Sequence, residues 1–319
     1  MKILVTGGAG MIGLNVANQL ASCAEVSILD YAQQIQRVWH YLDPSIHKVY
    51  GSILDESVLS CAMKDCDIVI HLAAMLGVKR TEQDKLRCFE VNVCGTHLVV
   101  DHAVKAKVGK IVLASSSEVY GEPVENPVNE TTMTQGKTCY ALSKLAGEEI
   151  CKAYSQRYGI KYSILRYFNC YGPFQVAHFV VPRFILNVMN DTSPIIYGDG
   201  KQLRCYTFAE DTAMATVKAA LSTEANNQVF NIGRGDTPIS LIDLAQLVIK
   251  LGNKDGVIVP IFTGDFSNAD RSKDREIFER YSIPNKAEEV LDWRPEFSLT
   301  QGIQKIFEKG QIFEEWTNG

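Results

Sequence analysis

Short apolar runs, each closed by Gly, Asp, Asn or a polar cluster, recur through the first half of the chain. "KILVTG" (2–7), "EVSILD" (25–30), "HKVYG" (47–51), "DIVIHLAA" (67–74), "KIVLASSS" (110–117) and "YSILRYFN" (162–169) have the length and character of buried strands. Helical patterns separate them. Residues 12–22 put Ile12, Val16 and Leu20 on one face, and a longer helical segment runs from about 82 to 107. Strands alternating with helices predict right-handed crossovers and a parallel sheet covered on both sides, an α/β doubly wound architecture.

The rhythm loosens after about residue 170. Pro173, Pro182, Pro194 and the "GDGK" turn (198–201) interrupt it, as do Gly233, Gly235 and Pro238. Shorter signals persist at "QVFNIG" (228–233), "LIDLAQLVIKLG" (241–252) and "GIQKIFEKG" (302–310). The expected division is a dinucleotide-binding domain over 1–170 and a smaller mixed α/β substrate-binding lobe over 171–319, with some of its segments returning to the first sheet.

Composition narrows the function. A formal charge of -5 over 319 residues argues against nucleic acid as the main partner. Nine scattered cysteines form no CxxC pair, so neither a metal site nor a disulfide framework is expected, and the thiols read as free in a reducing compartment. No apolar stretch approaches the ~20 residues of a membrane span, and "MKILVTGGAG" has no signal-peptide character. The expectation is a cytoplasmic protein without membrane partners.

The chemistry begins at "VTGGAGMIG" (5–13). Gly7, Gly10 and Gly13 lie between a strand and a helix, where glycines let backbone amides and a helix N-terminus approach a pyrophosphate. Asp30 closes the next strand. A carboxylate there accepts from the adenosine ribose and repels a 2′-phosphate, so NAD is expected rather than NADP. A second polar cluster, Ser115, Ser116, Ser117 and Glu118, ends the strand at 110–117. Tyr140 and Lys144 follow one helical turn apart and so face the same side.

Together "TGGAGMIG", "HLAA" (71–74), "VNVCGT" (91–96), "SSSEVYG" (115–121), "YALSK" (140–144), "RYFNCYGP" (166–173) and "YGDGKQLRCYTF" (197–208) resemble the extended short-chain dehydrogenase/reductases, the NAD-dependent epimerase/dehydratase family that acts on nucleotide sugars. The resemblance runs nearly end to end and implies a Rossmann fold binding NAD and a nucleotide-diphosphate sugar. Tyr140, with Lys144 lowering its pKa, would take the proton of the sugar C4 hydroxyl, and Ser116 would hydrogen-bond that hydroxyl. Gly7, Gly10, Met11, Ile12, Gly13, Asp30, Ser52, Ile53, Leu72, Ala73, Ala74, Asn92, Ser115 and Tyr167 would surround the cofactor, with Ser52 standing where relatives often carry an acid. Asn169, Val181, Tyr197, Gln202, Arg204 and Arg271, the last preferred over Arg275, would hold the substrate.

Ser117 and Glu118 fall where dehydratases of the family carry an acid–base pair. The Asp of the standard pair is absent, so a 4-epimerase is the leading expectation. A 4,6-dehydratase with Glu118 as base, or a net C4 dehydrogenase, comes next. Decarboxylases resemble "SSSEVYG" but carry Arg directly after "YGP", where Phe174 stands here. A non-catalytic dinucleotide sensor is the alternative outside enzymes. The resemblance also implies a homodimer, with helices at about 82–107 and 140–157 as its candidate faces.

Overall fold

All six early apolar runs, joined by the later "QVFNIG", pair into a single parallel sheet in the computed structural model, which describes residues 1–264 and 277–310. The strands are β1 (Lys2–Thr6), β2 (Glu25–Asp30), β3 (His47–Tyr50), β4 (Ile68–His71), β5 (Lys110–Ser116), β6 (Lys161–Tyr167) and β7 (Gln228–Ile232), in the order β7-β6-β5-β4-β1-β2-β3. β7 lies beyond residue 170, so the later half does return a strand to the sheet. The order reverses between β1 and β4. A doubly wound sheet opens its ligand crevice at that reversal, beyond the carboxyl ends of the strands.

Two helical layers cover the sheet. On one face α1 (Met11–Leu20) and, later in the chain, residues 209–221 bury Leu14, Val16, Leu20, Ala213 and Ala220 against Ile3 and Val5. On the other face α2 (Gly95–Lys105) and α3 (Cys139–Tyr158) bury Val99, Val100 and Cys151 against Leu4, Val69 and Ile111. Successive residues of β1 therefore serve opposite cores, as strand geometry requires. The helical segment expected over 82–107 is broken. Helical pieces at Val78–Gln83 and Lys85–Phe89 lead into a wider π turn at Glu90–Cys94 before α2 begins.

The later segments form a lobe with its own core. Helices α4 (Val180–Met189), α5 (Ala209–Leu221), α6 (Leu241–Leu251) and α7 (Leu299–Lys309) follow in order. Phe184, Val188, Leu244, Val248, Ile303 and Ile306 from α4, α6 and α7 pack around Tyr171 and Phe208. A three-stranded sheet, Ile239–Ser240 beside Leu203–Arg204 beside Glu279–Arg280, brings the end of the chain back toward the sheet reversal. No helix among the described residues is long and apolar enough to cross a membrane.

Trp293 fastens this lobe to the first. It is 2% exposed, its indole N–H donates to the Asp211 carbonyl at 2.9 Å, and the Asp211 carboxylate accepts from the amides of Glu296 and Phe297 at 3.0 and 3.1 Å. Truncation leaves a cavity and removes the indole bond to Asp211. Trp293→Ala should lower unfolding stability by about 3–5 kcal/mol, read from the midpoint of a urea titration.

Candidate active site

Three glycines fix the floor of the crevice. Gly7 has φ +70°, and a Cβ on it would lie 2.6 Å from the Ala73 amide nitrogen. A Cβ on Gly13 would lie 2.2 Å from the Gly7 carbonyl oxygen. Only glycine fits either place, so the loop closes tightly against β4 and α1. Gly10 is the N-cap of α1, and no side chain caps that helix end among the described residues. Its first-turn amides therefore suit an anion, and the cradle fits a dinucleotide pyrophosphate. Asp30 stands beside it. Its Oδ2 accepts from the Ala9 amide at 3.0 Å and its Oδ1 from the Tyr31 amide at 2.8 Å, while burial pushes its carboxyl pKa up to about 6.

The cleft holds about 530 Å³ and runs from Asp30 to the second lobe. Met11, Ile12, Ser52, Ile53, Leu72, Ala73, Ala74 and Tyr167 all line it, with Ser115, Ser116, Ser117, Glu118, Tyr140 and Lys144 at its centre. Asn169, Val181, Tyr197, Gln202 and Arg204 line the far end. Apart from Asn92 and Arg271, the residues expected around a cofactor and a nucleotide sugar thus share one continuous cleft.

At the centre, β5 and α3 meet. Thr138 caps α3 by accepting from the Ala141 amide, which starts the helix just before Tyr140. The Ser116 hydroxyl faces the Tyr140 phenol and favours its ionised form. Lys144 is 8% exposed, its Nζ donates to the Ala114 carbonyl at 2.9 Å, and it sits 5.7 Å from the centre of the Tyr140 ring. Burial pulls the ammonium down to about 8 and pushes the phenol up, and the Glu118 charge pushes the phenol further. Beneath them His71 bridges Thr6 and Thr96, at 2.7 and 3.0 Å, and burial beside Lys144 holds it neutral. A neutral His71 leaves Lys144 as the cation next to the phenol.

One expectation needs correction, and two residues have partners that the sequence did not reveal. Asn92 does not line the cleft. The π turn swings it inward, where it brackets Met75 through that residue's N–H (2.7 Å) and carbonyl (3.1 Å) and donates to Ser143 Oγ at 3.0 Å. It braces the wall and is not a cofactor contact. Arg204 reaches the cleft, but its guanidinium also donates to the carbonyls of Leu203 (2.8 Å), Phe278 (3.1 Å) and Ile277. Glu118 is not a bare strand-end acid: its carboxylate is ion-paired with Arg280, a residue only 2% exposed whose other Nη donates to the Gly121 carbonyl at 2.9 Å. Arg271 and Arg275 lie outside the described residues.

Arg280 was invisible to periodicity, because "FERYS" has no period and stands more than 150 residues from "SSSEVYG" in sequence. Arg80 and Arg183 also line the cleft, and Arg183 lies 5.0 Å over the Tyr197 ring. The basic residue within "VVPRF" was the available signal for the second.

Two binding outcomes follow from the cofactor end. Gly13→Ala should abolish NAD binding, because its Cβ has no room beside the Gly7 carbonyl. In the wild type, NAD affinity should fall as pH drops through about 6, where the Asp30 carboxylate takes up a proton and loses acceptor strength. Asp30→Asn should bind NAD weakly at every pH. Calorimetric titration from pH 5 to 8 checks both.

Residues 3–233 match the family described as NAD dependent epimerase/dehydratase family. The chain is 33% identical, over 99% of both chains, to a UDP-N-acetyl-alpha-D-glucosaminuronate decarboxylase of Bacillus cytotoxicus. It is 34% identical to a putative UDP-glucose 4-epimerase of Methanocaldococcus jannaschii, over 95% of this chain and 96% of that one. Among solved structures, a UDP-glucuronic acid 4-epimerase from Bacillus cereus, in complex with UDP-glucuronic acid and NAD, superposes with a TM-score of 0.86 at 29% identity, covering 97% of this chain and 98% of that one. With the glycine cradle, the Ser116–Tyr140–Lys144 set and a match over most of its length, the chain belongs to the NAD-dependent epimerase/dehydratase family of nucleotide-sugar enzymes.

Proposed function

We propose that the protein is a decarboxylase of nucleotide-linked uronic acids that works through oxidation at sugar C4. The observation that carries this reading is Arg280. A neutral sugar places no charge near C5 or C6, and a buried ion pair there costs desolvation for no return. A sugar carboxylate changes the balance, because a guanidinium binds it in a planar, two-pronged geometry. The arginine expected after "YGP" is replaced by Phe174, which packs on Tyr41 at 4.7 Å between ring centres. Arg280, from a different segment, stands behind Glu118, which lines the cleft, and supplies the cation once a sugar carboxylate takes the place of Glu118. The 33% identical decarboxylase relative favours the same reading.

The chain's own groups suffice for the rest. Ser116 and Tyr140 hold the C4 hydroxyl, and the Tyr140 phenolate takes its proton. NAD, when bound, supplies the acceptor for the C4 hydride and the store from which it returns. Oxidation leaves a ketone β to the carboxylate, so the C5–C6 bond breaks, CO2 leaves and the electron pair passes to the ketone oxygen. Ser116 and the protonated Tyr140 donate to that oxygen. C5 then gains a proton, C4 is reduced, and the Tyr140 proton returns to O4.

A second reading, 4-epimerisation, is supported by the same ion pair from another side. Epimerisation needs only Ser116, Tyr140 and Lys144. A 4,6-dehydratase needs Glu118 as a base, and pairing with Arg280 makes that carboxylate a poor one. We also infer a homodimer, since the helical segments expected to join subunits carry Leu86, Phe89, Leu142 and Tyr158 exposed by 84, 39, 49 and 52%. A monomer in solution scattering would contradict that.

Incubation with UDP-glucuronic acid in deuterated water, read by mass spectrometry, tests the activity. The expected product has lost CO2 and gained one carbon-bound deuterium. Unchanged mass with altered retention would mean epimerisation, and loss of water from UDP-glucose would mean dehydration. Tyr140→Phe should lose turnover by about 100-fold or more while still binding NAD. Arg280→Met should lose activity on the uronate.

A further inference from the structure

One buried ion pair lies directly under the reacting groups, and the chemistry proposed above does not use it. Glu148 and Arg166 have side chains only 1% and 6% exposed. Arg166 Nε donates to Glu148 Oε1 at 2.9 Å and Nη2 to Oε2 at 2.7 Å, a two-pronged contact. The Ser115 hydroxyl donates to the same Oε1 at 2.5 Å. On the far side Arg166 Nη1 donates to the Tyr120 hydroxyl at 2.8 Å, which donates on to Asn231 Oδ1 at 2.7 Å.

The placement of these groups is the point. Glu148 lies on α3 one turn after Lys144 and two turns after Tyr140, so the three share a face. Ser115 immediately precedes Ser116 on β5. Arg166 is the β6 residue paired in register with Ser115, and it immediately precedes Tyr167 in the cleft wall. A single carboxylate therefore ties the helix bearing Tyr140 and Lys144 to the strand bearing Ser116 and to its neighbour. Buried ion pairs are poor stabilisers compared with apolar packing, so stability alone is a weak account of this one.

We propose that Glu148 and Arg166 are a positioning pair that sets the height of α3 on β5, so that the Tyr140 phenol meets Ser116 Oγ. The inference rests on Tyr140 acting as the proton acceptor but not on which sugar is bound. Without the pair, the helix is held to the strand by apolar contacts that tolerate sliding and by the single Lys144–Ala114 hydrogen bond. Tyr140 then moves away from the Ser116 hydroxyl, which favours its ionised form. The charges facing Tyr140 are Lys144 on its own helix, Glu118 with Arg280 behind it, and the Cys88 thiol, while His71 faces Lys144. Those facing the pair are Tyr120, Glu130, Cys151 and Lys286.

The test replaces both members, Glu148→Met with Arg166→Met, in the full chain with NAD bound. Tyr140 ionisation is followed as the ultraviolet difference between each protein and its Tyr140→Phe counterpart. The double variant should melt at or above the wild-type temperature and bind NAD within about threefold of wild type. Its Tyr140 midpoint should rise by about one pH unit, the loss of one hydrogen bond to a charged group. With UDP-glucuronic acid, kcat should fall about 10- to 100-fold with little change in KM. A folded double variant whose Tyr140 midpoint matches wild type overturns the proposal. Should the double variant not fold, Arg166→Lys, which keeps the charge and loses the two-pronged contact, must raise the midpoint in the same direction; an unmoved midpoint there overturns it equally. If the midpoint rises while UDP-glucuronic acid goes untouched, the proposed substrate fails and the positioning role stands.

Discussion

The site depends on keeping an ammonium inside the protein. Lys144 is 8% exposed and holds the Ala114 carbonyl, and burial brings it down to about 8. The same burial drives the neighbouring phenol the wrong way for a base. Desolvation disfavours any charge, so the phenolate forms only where nearby cations outweigh it. Lys144 is such a cation, 5.7 Å from the centre of the Tyr140 ring. The His71 link to Thr6 and Thr96 serves the same end, since a neutral imidazole leaves Lys144 with no competing acid beneath it.

A second constraint acts on Glu118. An isolated carboxylate on the cleft wall would raise the Tyr140 pKa further, and its pairing with Arg280 offsets part of that charge. The cost of burying two ions in an enzyme of this kind makes sense if the substrate brings a charge of its own. In the proposed reading Arg280, more than any residue of the Ser116–Tyr140–Lys144 set, separates decarboxylation from the other reactions.

Much of this was legible in sequence for definable reasons. Most of the seven strands are apolar runs buried on both faces, so hydrophobicity marks them, while the edge strand β3 stays half-exposed. The glycine triplet and the Tyr140/Lys144 spacing are local and carry their geometry within a few residues. What stayed hidden was made by tertiary contact. Arg280 reaches Glu118 across the lobe interface, the π turn rotates Asn92 from the cleft into the wall, and the carbonyls of Ile277 and Phe278 draw on Arg204. None of these has a period or a fixed spacing. The break in the helix over 82–107 belongs with them, because it accompanies the inward turn of Asn92 toward Met75 and Ser143.

The central claim is that the sugar is oxidised and reduced at C4 within one turnover. Substrate deuterated at C4, UDP-glucuronic acid first, measures it directly. The account predicts a primary isotope effect on turnover and a product that carries the deuterium at C4. A product with that label lost to solvent, or turnover indifferent to it, would contradict the account.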